Sequence, residues 1–185
     1  MFDFDDRVAL LSGALCDAGI PYAFGGAIAL AYHAQPRATT DIDVNIFVSE
    51  TESRPVLRIL AGLGVSIDEE QDAAIIRRDG QIRLTWDAII VDLFFATFDF
   101  LTNCRDRVLW VPFGDDEIPI LSAEDLAVCK IAFNREKDWL DLREMAAIQG
   151  EKLDVPYIRR WLGVILGVDD PRTRRFEALV SQTCA

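Results

Sequence analysis

Residues 24–48 read FGGAIALAYHAQPRATTDIDVNIFV. Pro36 breaks the chain, and the segment from Asp41 to Val48 has the composition of a buried strand that carries two aspartates. Uncompensated buried charge is expensive, so carboxylates persist in such a setting only where a cation or a hydrogen-bond network answers them. Side chains alternate along a strand, which puts Asp41, Asp43 and Asn45 on one face while Ile42 and Val44 point into the core. The two carboxylates then lie about 6–7 Å apart, close enough to share a divalent cation, and they do not both stay comfortably ionised without one. Magnesium suits them, because it takes hard oxygen ligands and leaves positions open for phosphate and water.

Upstream of this strand, Ile20 to Phe24 predicts a short strand, Gly25-Gly26 a turn, and Ala27 to His33 a helix. Glycines at such a junction let the backbone approach a ligand, and the helix start offers N–H groups to an anion such as a triphosphate. A tight turn alone is the plain alternative. Asp92 is the other acid set in an apolar run, IIVDLFF. If that strand pairs beside Asp41–Val48, Asp92 completes a three-carboxylate cluster able to hold two metal ions and clamp the attacking and leaving oxygens of a nucleotidyl transfer.

Elsewhere, 5–18 and 53–63 show helical spacing, and Ala73 to Arg77 precede a turn at Asp79-Gly80. The run IRLTWDAIIVDLFFAT, 82–97, is β-rich, with further strands at 107–113 and 117–121. From residue 122 the pattern is helical. Ser122-Ala-Glu-Asp125 fits a capping box before LAVCKIAF, Asn134 caps REKDWLDLREMAAI, and 155–166 and 171–182 are amphipathic. Trp86 and Trp110 read as core rather than base-stacking residues, Trp139 and Trp161 as packing between the tail helices, and His33 as a cation at a helix C-terminus.

Gly25-Gly26, then Arg37-x-Thr39-x-Asp41-Ile-Asp43-Val44, then a strand acid at Asp92 resemble the nucleotidyltransferase superfamily that includes DNA polymerase beta, the aminoglycoside nucleotidyltransferases and the type IV toxin nucleotidyltransferases. LSAEDLAVCKIAFNREKDWLDLREM, 121–145, is similar to a helical segment of the toxin-like branch, with a lysine on one helix and an (R/K)-x-x-D-x-x-D pattern opening the next. The resemblance spans about residues 20–145. It implies an α+β polymerase-beta-like core at 1–121, a mixed sheet flanked by helices, with a C-terminal helical region at 122–185 packed on it.

It also implies roles. Asp41, Asp43 and Asp92 would hold two magnesium ions, Asp92 serving in addition as base for the acceptor hydroxyl. Gly25, Gly26, Arg37 and Thr39 would hold the nucleotide, Lys130 would neutralise the triphosphate or leaving pyrophosphate, and Asp138 would position a neighbouring group. Each has a structural alternative: Arg37 pairing with an acid, Lys130 snorkelling from a core-facing helix, Asp138 and Asp141 stabilising a helix start. The chain departs from many relatives at Ala27, where they carry serine or threonine, and in a spacer to Asp41 about one residue longer.

A net charge of −12 argues against a general nucleic-acid coat protein. PRTRRFEAL, with Arg172, Arg174 and Arg175, is the densest basic spot, ordinarily a solvated helix face and alternatively a nucleic-acid contact. Cys16, Cys104, Cys129 and Cys184 form no CxxC pair and His33 is the single histidine, so no zinc cluster assembles, and the cysteines read as reduced thiols. No run is long enough to span a membrane and the acidic start is unlike a secretory signal, which predicts a cytoplasmic protein. The expected activity is magnesium-dependent transfer of a nucleoside monophosphate from a triphosphate to an acceptor hydroxyl. A toxin-like role on a tRNA end or a protein, with a cognate antitoxin, leads; an aminoglycoside-type antibiotic acceptor is the alternative. A non-catalytic nucleotide-binding regulator or antitoxin partner is the rival of another class.

Overall fold

The computed structural model describes residues 3–183, which leaves Cys184 outside the described residues. The chain forms two compact units, one of residues 3–28 and 38–121 and one of 29–37 and 122–183.

The first unit is built on a six-stranded sheet. Its strands are β1 (Tyr22–Phe24), β2 (Asp41–Ile46), β3 (Gln81–Trp86), β4 (Ile89–Phe95), β5 (Leu109–Phe113) and β6 (Asp116–Ile120), in the order β3-β4-β2-β1-β6-β5. β2 runs parallel to β4 and β1 parallel to β6, while the other neighbours are antiparallel, so the sheet is mixed. Helices α1 (Phe4–Asp17), α2 (Gly26–His33), α3 (Ser53–Gly62), α4 (Glu69–Asp79) and α5 (Asp99–Arg105) are interleaved with the strands, and the chain passes to the second unit within α2.

Side-chain alternation decides which face of the sheet is apolar. In β2, Ile42, Val44 and Ile46 have no exposed surface, and Val91 and Leu93 of β4 match them. α3 adds Val56, Leu57 and Leu60, the spacing of one helix stripe. α1 is held at its start by a capping box between Asp3 and Asp6, each side chain accepting from the other's backbone N–H.

Several expectations change here. Ala73 to Arg77 lie inside α4, a helix marked mainly by its ends: Asp68 accepts from Gln71 N, and Gly80 closes it at φ +70°. The 82–97 run divides into the hairpin β3–β4 around Asp87, whose φ is +54°. α5 interrupts the chain before the 107–113 strand, which begins at Leu109. Trp86 is core, but Trp110 is 56% exposed, because β5 is an edge strand with no buried residue.

The second unit carries α6 (Ala123–Phe133), α7 (Glu136–Gln149), α8 (Val155–Ile165) and α9 (Pro171–Thr183). Ser122 Oγ accepts from Asp125 N and caps α6 as the sequence indicates. Asn134 is not the N-cap of α7. It sits at φ +57° as the C-cap of α6, a conformation asparagine tolerates better than most residues, its Oδ1 accepts from Trp139 Nε1, and Arg135 takes the N-cap position instead. Trp139, Ile158, Trp161 and Phe176 form the buried centre of this unit. Among the described residues no helix is long and apolar enough to cross a membrane.

Candidate active site

The parallel pairing of β2 and β4 brings Asp43 directly opposite Asp92. Residues in register on neighbouring strands, about 4.8 Å apart, project from the same face, so Asp43 and Asp92 stand side by side with Asp41 two residues along. This face lies opposite the fully buried Val44 and Val91. Thr39 Oγ1 accepts from Asp41 N and donates to Asp41 O, and Thr40 Oγ1 donates to Asp41 Oδ1, so both threonines order the start of β2.

The glycine pair is shaped around this strand. Gly25 N donates to Asp43 O at 2.9 Å, fastening the turn to β2. Gly26 has φ +50°, and a β-carbon on it would overlap Asp43 Oδ2. A β-carbon on Gly25 would come within 2.8 Å of Asn45 Nδ2. The two glycines thus admit the side chains of Asp43 and Asn45 as well as giving the turn its backbone conformation.

Arg83 is the residue that sequence reading missed. β3 places it opposite Asp92, and its Nε and one terminal nitrogen donate to the two Asp92 oxygens at 2.8 and 2.7 Å. Hydrogen bonding to Asp92 first, then the Asp92 charge, with smaller contributions from Asp41 and Asp43, holds the guanidinium proton well above its ordinary affinity. The Arg83 side chain is 66% exposed and that of Asp92 only 13%. The signal was present in Ile82-Arg83-Leu84, a polar residue between two buried ones, but it acquires a partner only once the hairpin register is known.

In the second unit, Lys130 and Asp138 are buried, with Asp141 beside them. Lys130 Nζ donates to Asp141 at 2.6 Å and lies 3.9 Å from Asp138. Arg37 donates to both Asp141 oxygens at 3.2 Å. Asp138 accepts from the Arg135 backbone and guanidinium, capping α7. The structural alternatives for Arg37 and Asp138 therefore describe their contacts, whereas Lys130 is ion-paired inside the unit and does not snorkel. The three arginines of PRTRR are also paired: Arg172 with Asp170, Arg174 with Asp169 and Arg175 with Glu136.

The donor chemistry of Asp41, Asp43 and Asp92 fits a hard divalent cation, and Gly26 leaves room for the Asp43 carboxylate beside the helix start. Among the described residues, however, no three acidic, histidine or cysteine side chains are grouped closely enough to close on an ion as they stand. The Asp92 oxygens are turned to Arg83.

No protein-family model and no curated protein sequence matches the chain. Solved structures do match, antibiotic nucleotidyltransferases among them. The solution structure of the antibiotic-resistance factor ANT(2'')-Ia aligns over 96% of this chain and 95% of its own, with TM-score 0.63 and 14% identity. The same factor in complex with adenylyl-2''-tobramycin covers 86% of this chain and 97% of its own at TM-score 0.63 and 13% identity. The lincosamide antibiotic adenylyltransferase LnuA, lincomycin-bound, covers 80% and 98% at TM-score 0.52 and 14% identity. At such identities the likeness establishes the fold, which is that of the nucleotidyltransferases.

Proposed function

We propose that the chain transfers a nucleoside monophosphate from a nucleoside triphosphate to a hydroxyl of a small antibiotic-type acceptor, releasing pyrophosphate. The observation that carries this reading is the in-register pairing of Asp43 with Asp92 on a sheet of nucleotidyltransferase topology, beside a glycine turn cut to fit Asp43. The acceptor oxygen forms a bond to the α-phosphorus, and the bond from that phosphorus to the bridging oxygen breaks with its electron pair leaving on pyrophosphate. Asp41, Asp43 and Asp92 are the residues that would hold magnesium, which when bound supplies charge stabilisation to the transferring group, and Asp92 in addition takes the hydroxyl proton. Gly25, Gly26 and Thr39 of the first unit would hold the nucleotide.

Two considerations favour a small acceptor over tRNA, a protein or an antitoxin-controlled target. The structural neighbours carry tobramycin-derived and lincomycin ligands. The basic spot that would serve RNA is spent on internal ion pairs, within a chain of net charge −12 that attracts cationic acceptors. The test is incubation with magnesium and each α-labelled triphosphate, together with tobramycin, lincomycin, total tRNA or protein extract. Label is expected on a small acceptor. Transfer only to tRNA or protein would overturn the acceptor class. No transfer, with no nucleotide binding by calorimetry, would overturn the activity.

A further inference from the structure

Arg83 has no assigned part in the reaction proposed above, yet its guanidinium holds both oxygens of one of the three acids. Its position follows from the sheet. The β3–β4 register sets Arg83 opposite Asp92, and the β4–β2 register sets Asp92 opposite Asp43, so Arg83, Asp92 and Asp43 form one cross-strand row. A forked guanidinium suits two carboxylate oxygens in one plane, and those oxygens are the ones a metal would need. Among the described residues the arginine side chain is held by this contact at its tip, and two thirds of it is exposed, so it can swing away without disturbing the core.

We infer that Arg83 is a positioning residue that acts as a displaceable internal counter-cation, competing with the divalent ion for Asp92 so that the free site takes metal weakly and releases Asp92 only when a cation arrives. This rests on the reading of Asp41, Asp43 and Asp92 as metal-holding residues. The contact also relieves carboxylate repulsion on this face before any ion is present, which keeps Asp92 turned to a fixed direction.

The experiment is calorimetric titration of the metal-free, nucleotide-free protein with Mn2+ alone. Removing the two charge-assisted hydrogen bonds that the ion must displace should tighten Mn2+ binding about ten-fold in Arg83→Gln, the lower end of what hydrogen bonds to charged groups contribute. Arg83→Lys, which keeps the charge but loses the fork, should fall between the two. In an Asp92→Asn background the Arg83→Gln change should have little effect, because the contact it removes is already gone. Equal or weaker Mn2+ binding in Arg83→Gln, or a ten-fold gain that survives Asp92→Asn, would overturn the inference and leave the proposed activity standing. Absence of Mn2+ binding in every variant would overturn both.

Discussion

Gly26 and Asp43 share one volume: the space that a side chain at position 26 would fill is taken by the Asp43 carboxylate. Gly26→Ala therefore pays twice, with about 1 kcal/mol for an alanine held at φ +50° and about 1–3 kcal/mol for pushing the carboxylate aside. In an Asp43→Ala background the carboxylate part should vanish, leaving the backbone part and a tight 3.0 Å approach to the β-carbon of residue 43. Urea denaturation of the two single variants and the double variant measures the coupling. Equal costs in both backgrounds would show that the overlap is relieved without strain.

Asp43→Ala should reduce nucleotidyl transfer by about 10²–10³-fold or more, the scale on which removal of a group stabilising developing charge acts. The metal-free protein should stay folded, with its melting temperature unchanged or raised, because one carboxylate of a crowded face is gone. Label transfer and thermal melts on the same preparation check both halves. A variant that is inactive because it is unfolded would point to a structural role for the carboxylate, and an active one would remove Asp43 from the chemistry.

The carboxylate face was legible because period-two alternation is local: Asp41 and Asp43 are bracketed by Ile42 and Val44, and Asp92 by Val91 and Leu93. Arg83 was not, since its meaning depends on pairing. No Asn-Gly or Asp-Gly marks the β3–β4 turn; Asp87 adopts φ +54° itself, within an apolar run that reads as continuous. α4 escaped because Ala73 and Ile76 are its buried positions and charged residues fill most of the rest, leaving Asp68 and Gly80 as the real signals. Asn134 reads as a cap from the sequence, but asparagine serves at either end of a helix and only the left-handed backbone tells which.

The Lys130–Asp141 pair predicts an order of stabilities. Lys130→Met leaves Asp141 buried with only the partly exposed Arg37, and should cost about 2–4 kcal/mol, toward the lower end of what breaking a buried pair costs. Arg37→Ala should cost less, about 1 kcal/mol or below, because its side chain is 37% exposed and Lys130 still serves Asp141. Lys130→Met combined with Asp141→Leu should recover most of the loss, as an apolar pair needs no counter-charge. Denaturant midpoints at constant slope decide it; Arg37→Ala more harmful than Lys130→Met would reverse the roles given to the two cations.

Asp170 provides a pH test of whether the arginines of PRTRR are engaged. The Arg172 guanidinium donates to both Asp170 oxygens at 2.9 and 2.8 Å, and the Arg172 backbone N–H adds a third bond at 2.8 Å. Side-chain hydrogen bonds from Arg172 first, then this backbone bond, draw the Asp170 carboxyl down to about 2. For a carboxyl depressed in the folded state, the stabilisation is present above the ordinary value of 3.8 and is lost as pH falls toward 2. Carboxyl carbon shifts followed by NMR should give a midpoint near 2 for Asp170, rising toward the ordinary value in Arg172→Ala. The same pairing predicts that tRNA binds the protein weakly and that Arg172→Ala barely changes it, because Arg172 already spends its donors on Asp170 and on the carbonyl of Ala132. A midpoint near 4 together with salt-sensitive tRNA binding that Arg172→Ala abolishes would mean that these arginines are available to phosphate, and would restore RNA as the acceptor.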